Sequence, residues 1–315
     1  MQAKRAVNTI RAYKCSWRTF EIWCATRNRQ SLPANSSTLR QFILYCISDK
    51  KRKLTTIEGH VAAIRAKHRD AGYPSPFNEA TRELLRSSAR RYKQKPVKKH
   101  ALKPEHLREI ARYLDEVYDF GNPLFGVRIR AVRDRAIILI GFNSGWRRSE
   151  LASLTMDDIA QHPQGIAVRL TAGSKTDQAA QRERIIGIKR LPGSPMCAVQ
   201  ALEEWVRIRG DWPGALFTPI GLDGKIRHHA LSGDTVCHLL KRALKRIGID
   251  PKPFGAHSMR AGMITAAARN GAAFPAIQDR SGHASLQVMM GYIRSENLFA
   301  SDPLHGVLEM ESKAS

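Results

Sequence analysis

Apolar residues in the first hundred positions recur at three- and four-residue spacing, which is the spacing of an amphipathic helix. In residues 7–26 this stripe consists of five large side chains, Ile10, Tyr13, Trp17, Phe20 and Trp23. The same spacing continues in residues 38–48, in a segment that starts near residue 55, and in residues 78–93. The first third of the chain is therefore predicted to form four helices.

Capping residues at the predicted helix starts support this assignment. The turn before the second helix offers Asn35, Ser36 and Ser37, whose side chains can accept hydrogen bonds from free amides of the first turn. Thr55 or Thr56 is the expected cap of the third helix. One face of that helix carries Ile57, Val61, Ile64 and His68.

The pattern after residue 103 is again mostly helical, with one β segment. Two β-branched stretches, residues 165–172 and 182–188, flank a polar turn and predict a β-hairpin. The predicted fold class is therefore mainly α with a small β-sheet or hairpin. The helices predicted in this part are residues 104–117, 127–145, 148–154, 197–210, 234–248, 258–271 and 275–282.

Positive charge is concentrated in the first third of the chain. The whole chain has 52 Lys and Arg against 28 Asp and Glu, a formal net charge of +24. Residues 1–100 hold 23 of these basic residues and 6 of the acidic ones, a net charge of +17. Such an excess favours a polyanionic partner, since cations that meet phosphates release condensed counterions. Nucleic acid is the preferred partner. An anionic membrane surface is second, without a visible anchor or lipidation motif.

The predicted fourth helix presents arginines opposite its apolar face of Leu84 and Leu85. A solvated surface is the simpler interpretation, but a strongly basic module makes contact with the DNA backbone the better one. The residues expected to contact DNA are Arg82, Arg86, Arg90, Arg91, Lys93, Lys95, Lys98 and Lys99.

A domain boundary is expected near residue 100. Residues 94–103 contain Pro96 and four lysines with almost no large apolar side chain, which is typical of an exposed basic linker. This predicts an N-terminal helical DNA-binding domain in residues 1–93 and a second domain in residues 104–315. Two domains joined in this way can close around a duplex as a C-shaped clamp.

Several classes of protein are disfavoured. The first residues lack the apolar core of a signal peptide, and the longest apolar run, residues 136–142, is too short to span a bilayer. The cysteines are scattered without a CxxC pair, as expected for reduced thiols in a cytosolic protein, and no metal site is predicted. The five cysteines are Cys15, Cys24, Cys46, Cys197 and Cys237.

Two short segments carry basic residues at positions where chemistry is possible. Arg147 and Arg148 stand at a predicted helix start, one turn before Glu150. A local surface ion pair would explain this arrangement equally well. Lys175 lies in the predicted hairpin turn, which is also a common place for a lysine.

Two further segments add histidines, an arginine and a tyrosine. His257 and Arg260 are three residues apart, which places them on one face of a helix start. Small neighbours around this pair suggest an anion site. His283 follows a glycine, and Tyr292 ends an apolar run nine residues later. Taken alone, Tyr292 is more simply an aromatic residue on a helix face.

Together these side chains suit phosphoryl transfer without a metal or another cofactor. Two guanidinium groups can hold the non-bridging oxygens of a phosphodiester, and histidine can donate to the same oxygens. Lysine can protonate the leaving oxygen, and a tyrosine hydroxyl can act as nucleophile. A Walker loop and an acidic cluster for two magnesium ions are not found in the sequence.

The order of these motifs resembles the tyrosine recombinases, the phage integrase family. The matching elements are R-x-x-E-L, a hairpin Lys, H-x-x-R, G-H and a Tyr nine residues after that His. The resemblance covers about residues 104–300, and the basic module in front is similar to the family's core-binding domain. It implies that Arg147, rather than Arg148, is the first catalytic Arg, and that Glu150 orients its neighbours.

The resemblance also implies roles for the remaining residues. Lys175 matches the general acid, with Lys189 as a rival, and His257 with Arg260 matches the H-x-x-R pair. His283 occupies a position where relatives have His or Trp, and Tyr292 matches the nucleophile.

Site-specific DNA recombination is the function that the resemblance implies. Strands would be exchanged through a 3′-phosphotyrosyl intermediate and a Holliday junction, without metal or ATP, by a homotetramer on paired DNA sites. Residues 293–315 would dock on a neighbouring subunit. The expected location is the cytoplasm of a bacterium, at the nucleoid, with the protein encoded by the bacterium or by a phage.

Three alternatives are kept open. A type IB topoisomerase shares this chemistry but relaxes supercoiled DNA without a second site. A catalytically silent DNA-binding relative would not need Lys175 and Tyr292. A basic protein of membrane surfaces or ribosomes does not explain the order of the motifs.

Overall fold

A computed structural model describes residues 7–92, 99–119, 125–171, 184–221, 223–255, 257–283 and 285–293 of the chain. The chain divides into two compact units, unit 1 (Met1–Val97) and unit 2 (Lys98–Ser315).

Unit 1 contains the four predicted helices, α1 (Val7–Ala25), α2 (Ser36–Ser48), α3 (Leu54–Asp70) and α4 (Glu79–Arg91). The cap of α2 is confirmed, because the side chain of Asn35 accepts a hydrogen bond from the amide of Thr38 at 2.8 Å. The cap of α3 was predicted wrongly. Lys53 occupies that position in an extended conformation, and both Thr55 and Thr56 already lie in the first helical turn.

The core of unit 1 is largely aromatic and aliphatic, with Phe20, Trp23, Phe42 and Ile64 buried. The apolar face predicted for α3 is confirmed, and it includes a fully buried histidine. His68 accepts a hydrogen bond from the amide of Ala34 through Nε2 and donates one from Nδ1 to the carbonyl oxygen of Ile64, both at 2.9 Å. Both ring nitrogens of His68 have hydrogen-bond partners within unit 1, so His68 has a structural role.

Unit 2 is mainly helical with one small sheet, as the sequence predicts. Its helices are α5 (Pro104–Asp119), α6 (Phe125–Ser144), α7 (Arg148–Ala152), α8 (Ala198–Arg209), α9 (Gly233–Arg246), α10 (His257–Arg269), α11 (Phe274–Ser281) and α12 (Leu286–Ile293). The bounds of α12 were not predicted, because its residues are nearly all apolar and show no polar face, although Tyr292 was interpreted as an aromatic residue on a helix face. A short 3-10 helix, Met156–Asp158, follows α7.

The sheet has three antiparallel strands in the order β1 (Ile159–His162), β2 (Gly165–Leu170) and β3 (Arg184–Lys189). Strands β2 and β3 confirm the predicted hairpin, with Ile166 opposite Ile188. Strand β1 was not predicted, since it is short, lies at the sheet edge and is mostly exposed.

Helix α6 runs through the centre of unit 2, and residues on all its sides are buried. It packs against α5, α8 and α10, while Trp146 and Trp205 fill the core nearby. Because α6 leads directly into Trp146 and Arg147, this core fixes the backbone from which the candidate site is built.

At the described end of the predicted linker, Lys99, His100 and Lys103 are exposed, whereas one apolar residue is packed into unit 2. Leu102 is fully buried, and its amide donates to the carbonyl oxygen of Ser258 at 2.8 Å. Lys99 donates from Nζ to the carbonyl oxygen of Lys252 at 2.8 Å. Within the described ranges, no helix is both long enough and apolar enough to cross a bilayer.

Candidate active site

Arg147 stands at the start of α7 and is held by Glu150 one turn later. The amide of Arg147 donates to Oε2 of Glu150 at 2.8 Å, and its guanidinium donates from Nη1 to Oε1 at 2.7 Å. The Glu150 side chain is 2% exposed and the Arg147 side chain 18%. A capping carboxylate therefore aims the guanidinium of Arg147 while leaving part of it accessible.

Arg148 faces a different partner. Its Nη1 atom donates to Oδ1 of Asp234 at 2.6 Å, at the start of α9, and its side chain is 45% exposed. The two neighbouring arginines are thus separated, and Arg147 is the one that shares Glu150.

Arg260 is the most enclosed arginine of the cluster, with 2% of the residue exposed. From α10 it donates to the carbonyl oxygens of Gly145, at 2.9 Å, and Ser281. Its Nε atom donates to Nε2 of His283 at 3.3 Å. Its Nη2 atom is buried and has no hydrogen-bond partner among the described residues.

Burial and like charge act on Arg260 together. Desolvation, followed by the nearby Arg147, lowers its pKa to about 10. The guanidinium stays protonated at neutral pH, but its positive charge is poorly compensated, which favours binding of an anion.

His283 follows the end of α11 and contacts Arg260. Its Nδ1 atom lies 2.8 Å from the hydroxyl of Ser281. Because Nε2 accepts the hydrogen bond from Arg260, Nδ1 carries the proton and donates to Ser281. Burial and the charge of Arg260 lower the pKa of His283 to about 4, so the ring is neutral at physiological pH.

Tyr292 lies on α12, beside this histidine. The two rings have centroids 5.7 Å apart and are tilted by 55°. Tyr292 is half-buried and packs at the edge of a small apolar cluster that includes Met263, Ile277 and Met289. The fold therefore brings together Arg147, Glu150, Arg260, His283 and Tyr292 from segments far apart in sequence.

Arg184 is a member of this cluster that the sequence analysis missed. It is the first residue of β3, its guanidinium carbon lies 5.5 Å from the ring centre of Trp146, and its Nη2 atom is 3.8 Å from Oε2 of Glu150. Arg184 lies on the same face of β3 as the buried Ile186 and Ile188, because alternate residues of a strand share a face. A charged residue in phase with core residues of a strand is the signal that would have revealed it.

The remaining candidates are placed less tightly. His257 is the exposed first residue of α10, one turn before Arg260. Lys175 lies outside the described residues, and its rival Lys189 is exposed at the end of β3. No group of three His, Cys, Asp or Glu side chains suited to a metal ion occurs in the described part of the chain.

The four predicted DNA-contacting arginines of α4 are all exposed. Arg82 and Arg86 pair with Glu79, the latter at 3.6 Å, and Arg90 pairs with Glu83 at 3.3 Å. The guanidinium carbon of Arg91 lies 5.8 Å from the ring centre of Tyr92. Lys93, Lys95 and Lys98 lie outside the described residues.

Comparison with known proteins identifies relatives over most of the chain. The phage integrase family model matches residues 77–298. An integrase/recombinase XerD homolog of Selenomonas ruminantium is 29% identical over 305 residues, covering 97% of this chain and 86% of that protein. Recombinase Cre of Escherichia phage P1 is 23% identical, covering 88% of this chain and 81% of that protein.

Solved structures agree with this at the level of the fold. The integrase of transposon Tn1549, bound to transposon right end DNA, has a TM-score of 0.61 at 16% identity, covering 97% of this chain and 95% of that one. Lambda integrase residues 75–356, a dimer bound to a core site, has a TM-score of 0.60 at 14% identity, covering 92% and 90%. The family match and the recombinases that align along the chain confirm the resemblance. This chain belongs to the phage integrase family and is a site-specific tyrosine recombinase.

Proposed function

We propose that this chain cuts and rejoins double-stranded DNA with Tyr292 as the nucleophile. The phenol oxygen forms a bond to the scissile phosphorus, and the bond from that phosphorus to the 5′ oxygen breaks. The phenol loses its proton, and the departing 5′ oxygen gains one. The bond energy is kept in the 3′-phosphotyrosyl link, so a 5′-hydroxyl can reverse the step without ATP.

The observation that carries this proposal is the uncompensated positive charge around Arg260. The buried carboxylate of Glu150 interacts with the charges of Arg147, Arg184 and Arg260, and Asp279 adds to it at Arg184. The Nη2 atom of Arg260 has no hydrogen-bond partner within the described ranges, and an unmade buried bond costs about 1–3 kcal/mol. A phosphate supplies both the missing negative charge and the missing acceptor.

Arg147 and Arg260 are proposed to hold the non-bridging oxygens of the scissile phosphate. Fixed guanidinium donors stabilise the charge that develops in the transition state, because they need no reorganisation when the reaction occurs. Arg147 is the more accessible of the two, with 18% of its side chain exposed.

His283 is proposed to hold Arg260 and to line the position of the nucleophile. Its neutral ring accepts a hydrogen bond from Arg260 and lies beside the ring of Tyr292. His257 is proposed to donate to the same phosphate, and Lys175 to protonate the 5′ oxygen. The resemblance to the family supports these last two roles.

The assembly follows from the need for a second DNA site. Two rounds of strand exchange through a Holliday junction require paired sites, and we propose that a homotetramer holds them, with residues 293–315 docking between subunits. Residues 1–93 would form the core-binding domain and residues 104–315 the catalytic domain, joined by residues 94–103. Since DNA is the substrate, we propose that the protein works at the nucleoid, in the cytoplasm of a bacterium.

A nicked suicide substrate tests the nucleophile. After cleavage, such a substrate loses the short fragment that carries the new 5′-hydroxyl, so the reaction cannot reverse and the covalent complex is trapped, which a denaturing gel detects. Tyr292→Phe should abolish capture while DNA binding is retained, because only the hydroxyl is lost. Tyr113→Phe, a half-buried tyrosine of α5, is the matched control and should still be captured.

Capture of Tyr292→Phe at the wild-type rate would overturn the assignment of the nucleophile. Relaxation of any supercoiled plasmid, without exchange between two sites, would favour a type IB topoisomerase activity instead.

A further inference from the structure

The guanidinium of Arg184 lies among parts of the site that come from different elements. It rests near the ring of the fully buried Trp146, and its side chain is 16% exposed. A side chain on Gly282 would overlap with Arg184, so glycine at the end of α11 leaves the room that this guanidinium occupies. Gly282 also has a φ of 65°, where glycine is favoured.

The position of Arg184 is energetically costly. Its Nε and Nη2 atoms are buried without a hydrogen-bond partner in the described part of the chain. Burial, with Arg147 adding to it, lowers the pKa of Arg184, whereas Glu150 opposes this shift. A methionine would pack against Trp146 without these costs, so stability alone does not explain an arginine here.

Glu150 links Arg184 to Arg147. Oε1 of Glu150 accepts a hydrogen bond from Nη1 of Arg147. Oε2 accepts one from the backbone amide of Arg147 and lies 3.8 Å from Nη2 of Arg184. Arg147 and Glu150 belong to the same helix start. Their mutual bonds fix each relative to the other, and the hydrogen bond from Arg260 to the carbonyl oxygen of Gly145 ties α10 to the backbone in front of them.

Arg184 adds a link between side chains to this link through the backbone. It comes from the sheet and touches Glu150 on one side and the position of Gly282 on the other. The residues on either side of Gly282 hold Arg260, through the carbonyl oxygen of Ser281 and the ring of His283. Arg184 thus stands between the carboxylate that aims Arg147 and the turn that holds Arg260.

We propose that Arg184 is a positioning residue that sets the two phosphate-binding arginines relative to each other by acting on Glu150. This inference rests on the proposed function, since it assumes that Arg147 and Arg260 bind the scissile phosphate. Arg184 acts through Glu150 rather than by its own contact with DNA.

The test is a double-mutant cycle on single-turnover cleavage of the suicide substrate, with DNA affinity measured separately. Arg184→Met should slow cleavage about 10- to 100-fold, the range for residues that orient catalytic groups, and leave DNA affinity within about two-fold. Arg184→Lys should recover part of the rate, because it keeps the charge but not the planar fork.

The cycle with Glu150→Gln separates positioning from direct contact. If Arg184 acts through Glu150, adding Arg184→Met to Glu150→Gln should cause little further loss, so the two effects are not additive. Additive losses would show direct contact with DNA and overturn the proposal, as would wild-type cleavage by Arg184→Met. If Arg184→Met does not fold, Arg184→Lys takes its place in the same cycle.

The matched control is Arg190→Met, directly after the other end of β3, where the arginine pairs with Glu203 at 2.5 Å and is 40% exposed. The Arg190→Met variant should cleave at the wild-type rate. If it lost as much activity as Arg184→Met, the loss in Arg184→Met would come from a general disturbance of β3. Failure of the proposed function is distinct, because wild-type protein would then form no covalent complex or Tyr292→Phe would still form one.

Discussion

The two units of the molecule carry their charges in opposite ways. In the described part of unit 1, no Lys, Arg, Asp or Glu is buried, although this part of the chain is the more basic. Unit 2 buries a set of charged side chains, among them Arg133, Asp134, Arg135, Glu150, Asp158, Arg209 and Arg260. What matters in unit 1 is therefore the total positive charge at the surface. In unit 2 it is the exact place and the partners of each buried charge.

This difference has an energetic basis. Exposed charges are screened by water and salt, so any cation of similar reach can replace another. Buried charges need specific partners, and removing one partner leaves the other uncompensated. Substitutions that conserve charge should therefore be tolerated in unit 1 and harmful in unit 2.

The largest expected effect is on stability, at the buried ion pair of Asp134. Its Oδ1 atom pairs with Nη2 of Arg133 at 2.7 Å, and its Oδ2 atom pairs with Nη2 of Arg242 at 2.6 Å. Asp134→Asn should lower the free energy of unfolding by about 3–5 kcal/mol, because Arg133 stays buried without its counter-charge. Glu83→Gln, which removes the exposed pair with Arg90, should cost about 1 kcal/mol or less.

Guanidinium-induced unfolding, followed by circular dichroism, measures both variants. Equal losses in the two would contradict the contrast between the units.

The next effect is on catalysis, with a conservative change at Arg260. Arg260→Lys keeps the charge but loses the fork that holds Gly145, Ser281 and His283, so cleavage should slow about 10²- to 10³-fold. The matched change in unit 1 replaces all four arginines of α4 with lysine and should leave both cleavage and DNA affinity within about two-fold. Single-turnover cleavage and binding titrations compare them, and a rate near wild type for Arg260→Lys would refute the role of its geometry.

A smaller effect is expected when the charge of α4 is removed. Replacing Arg82, Arg86, Arg90 and Arg91 with glutamine should weaken DNA binding and flatten its salt dependence by about 0.9 in log–log slope for each phosphate that is no longer neutralised. The cleavage rate at saturating DNA should be unchanged. An unaltered salt slope would indicate that this face is only solvated.

A further expected effect is a pH dependence of stability at His283. Burial, then Arg260, Arg147 and Arg184, lower its pKa to about 4, while Glu150 opposes the shift. Between pH 6.5 and 4 the unfolded chain therefore binds a proton at this position that the folded chain does not, and stability falls as the pH is lowered through this window.

Thermal melting of wild type and His283→Gln between about pH 4 and 7 tests this. The stability of the wild type relative to the variant should decrease towards acid pH. A constant difference between wild type and His283→Gln would argue against a neutral, enclosed ring.

Much of the architecture was accessible from periodicity. The four helices of unit 1 and the β2–β3 pair follow from apolar spacing, because burial of one face dictates that spacing directly. Strand β1, helix α12 and the cap at Lys53 were not predictable in this way. The strand and the helix are short and show no clear periodicity, and Lys53 makes no side-chain capping bond.

The sequence by itself determined which residue types are available for phosphoryl transfer and their order along the chain, and with them the family. Only the tertiary structure paired Arg148 with Asp234, placed the ring of Tyr292 beside His283 and added Arg184 to the cluster. The physical reason is that local spacing reports which face of an element is buried. The neutral state of His283 and the poorly compensated charge of Arg260 instead arise from burial and from charges on other elements, which meet only when α7, α10, α11, α12 and β3 pack together.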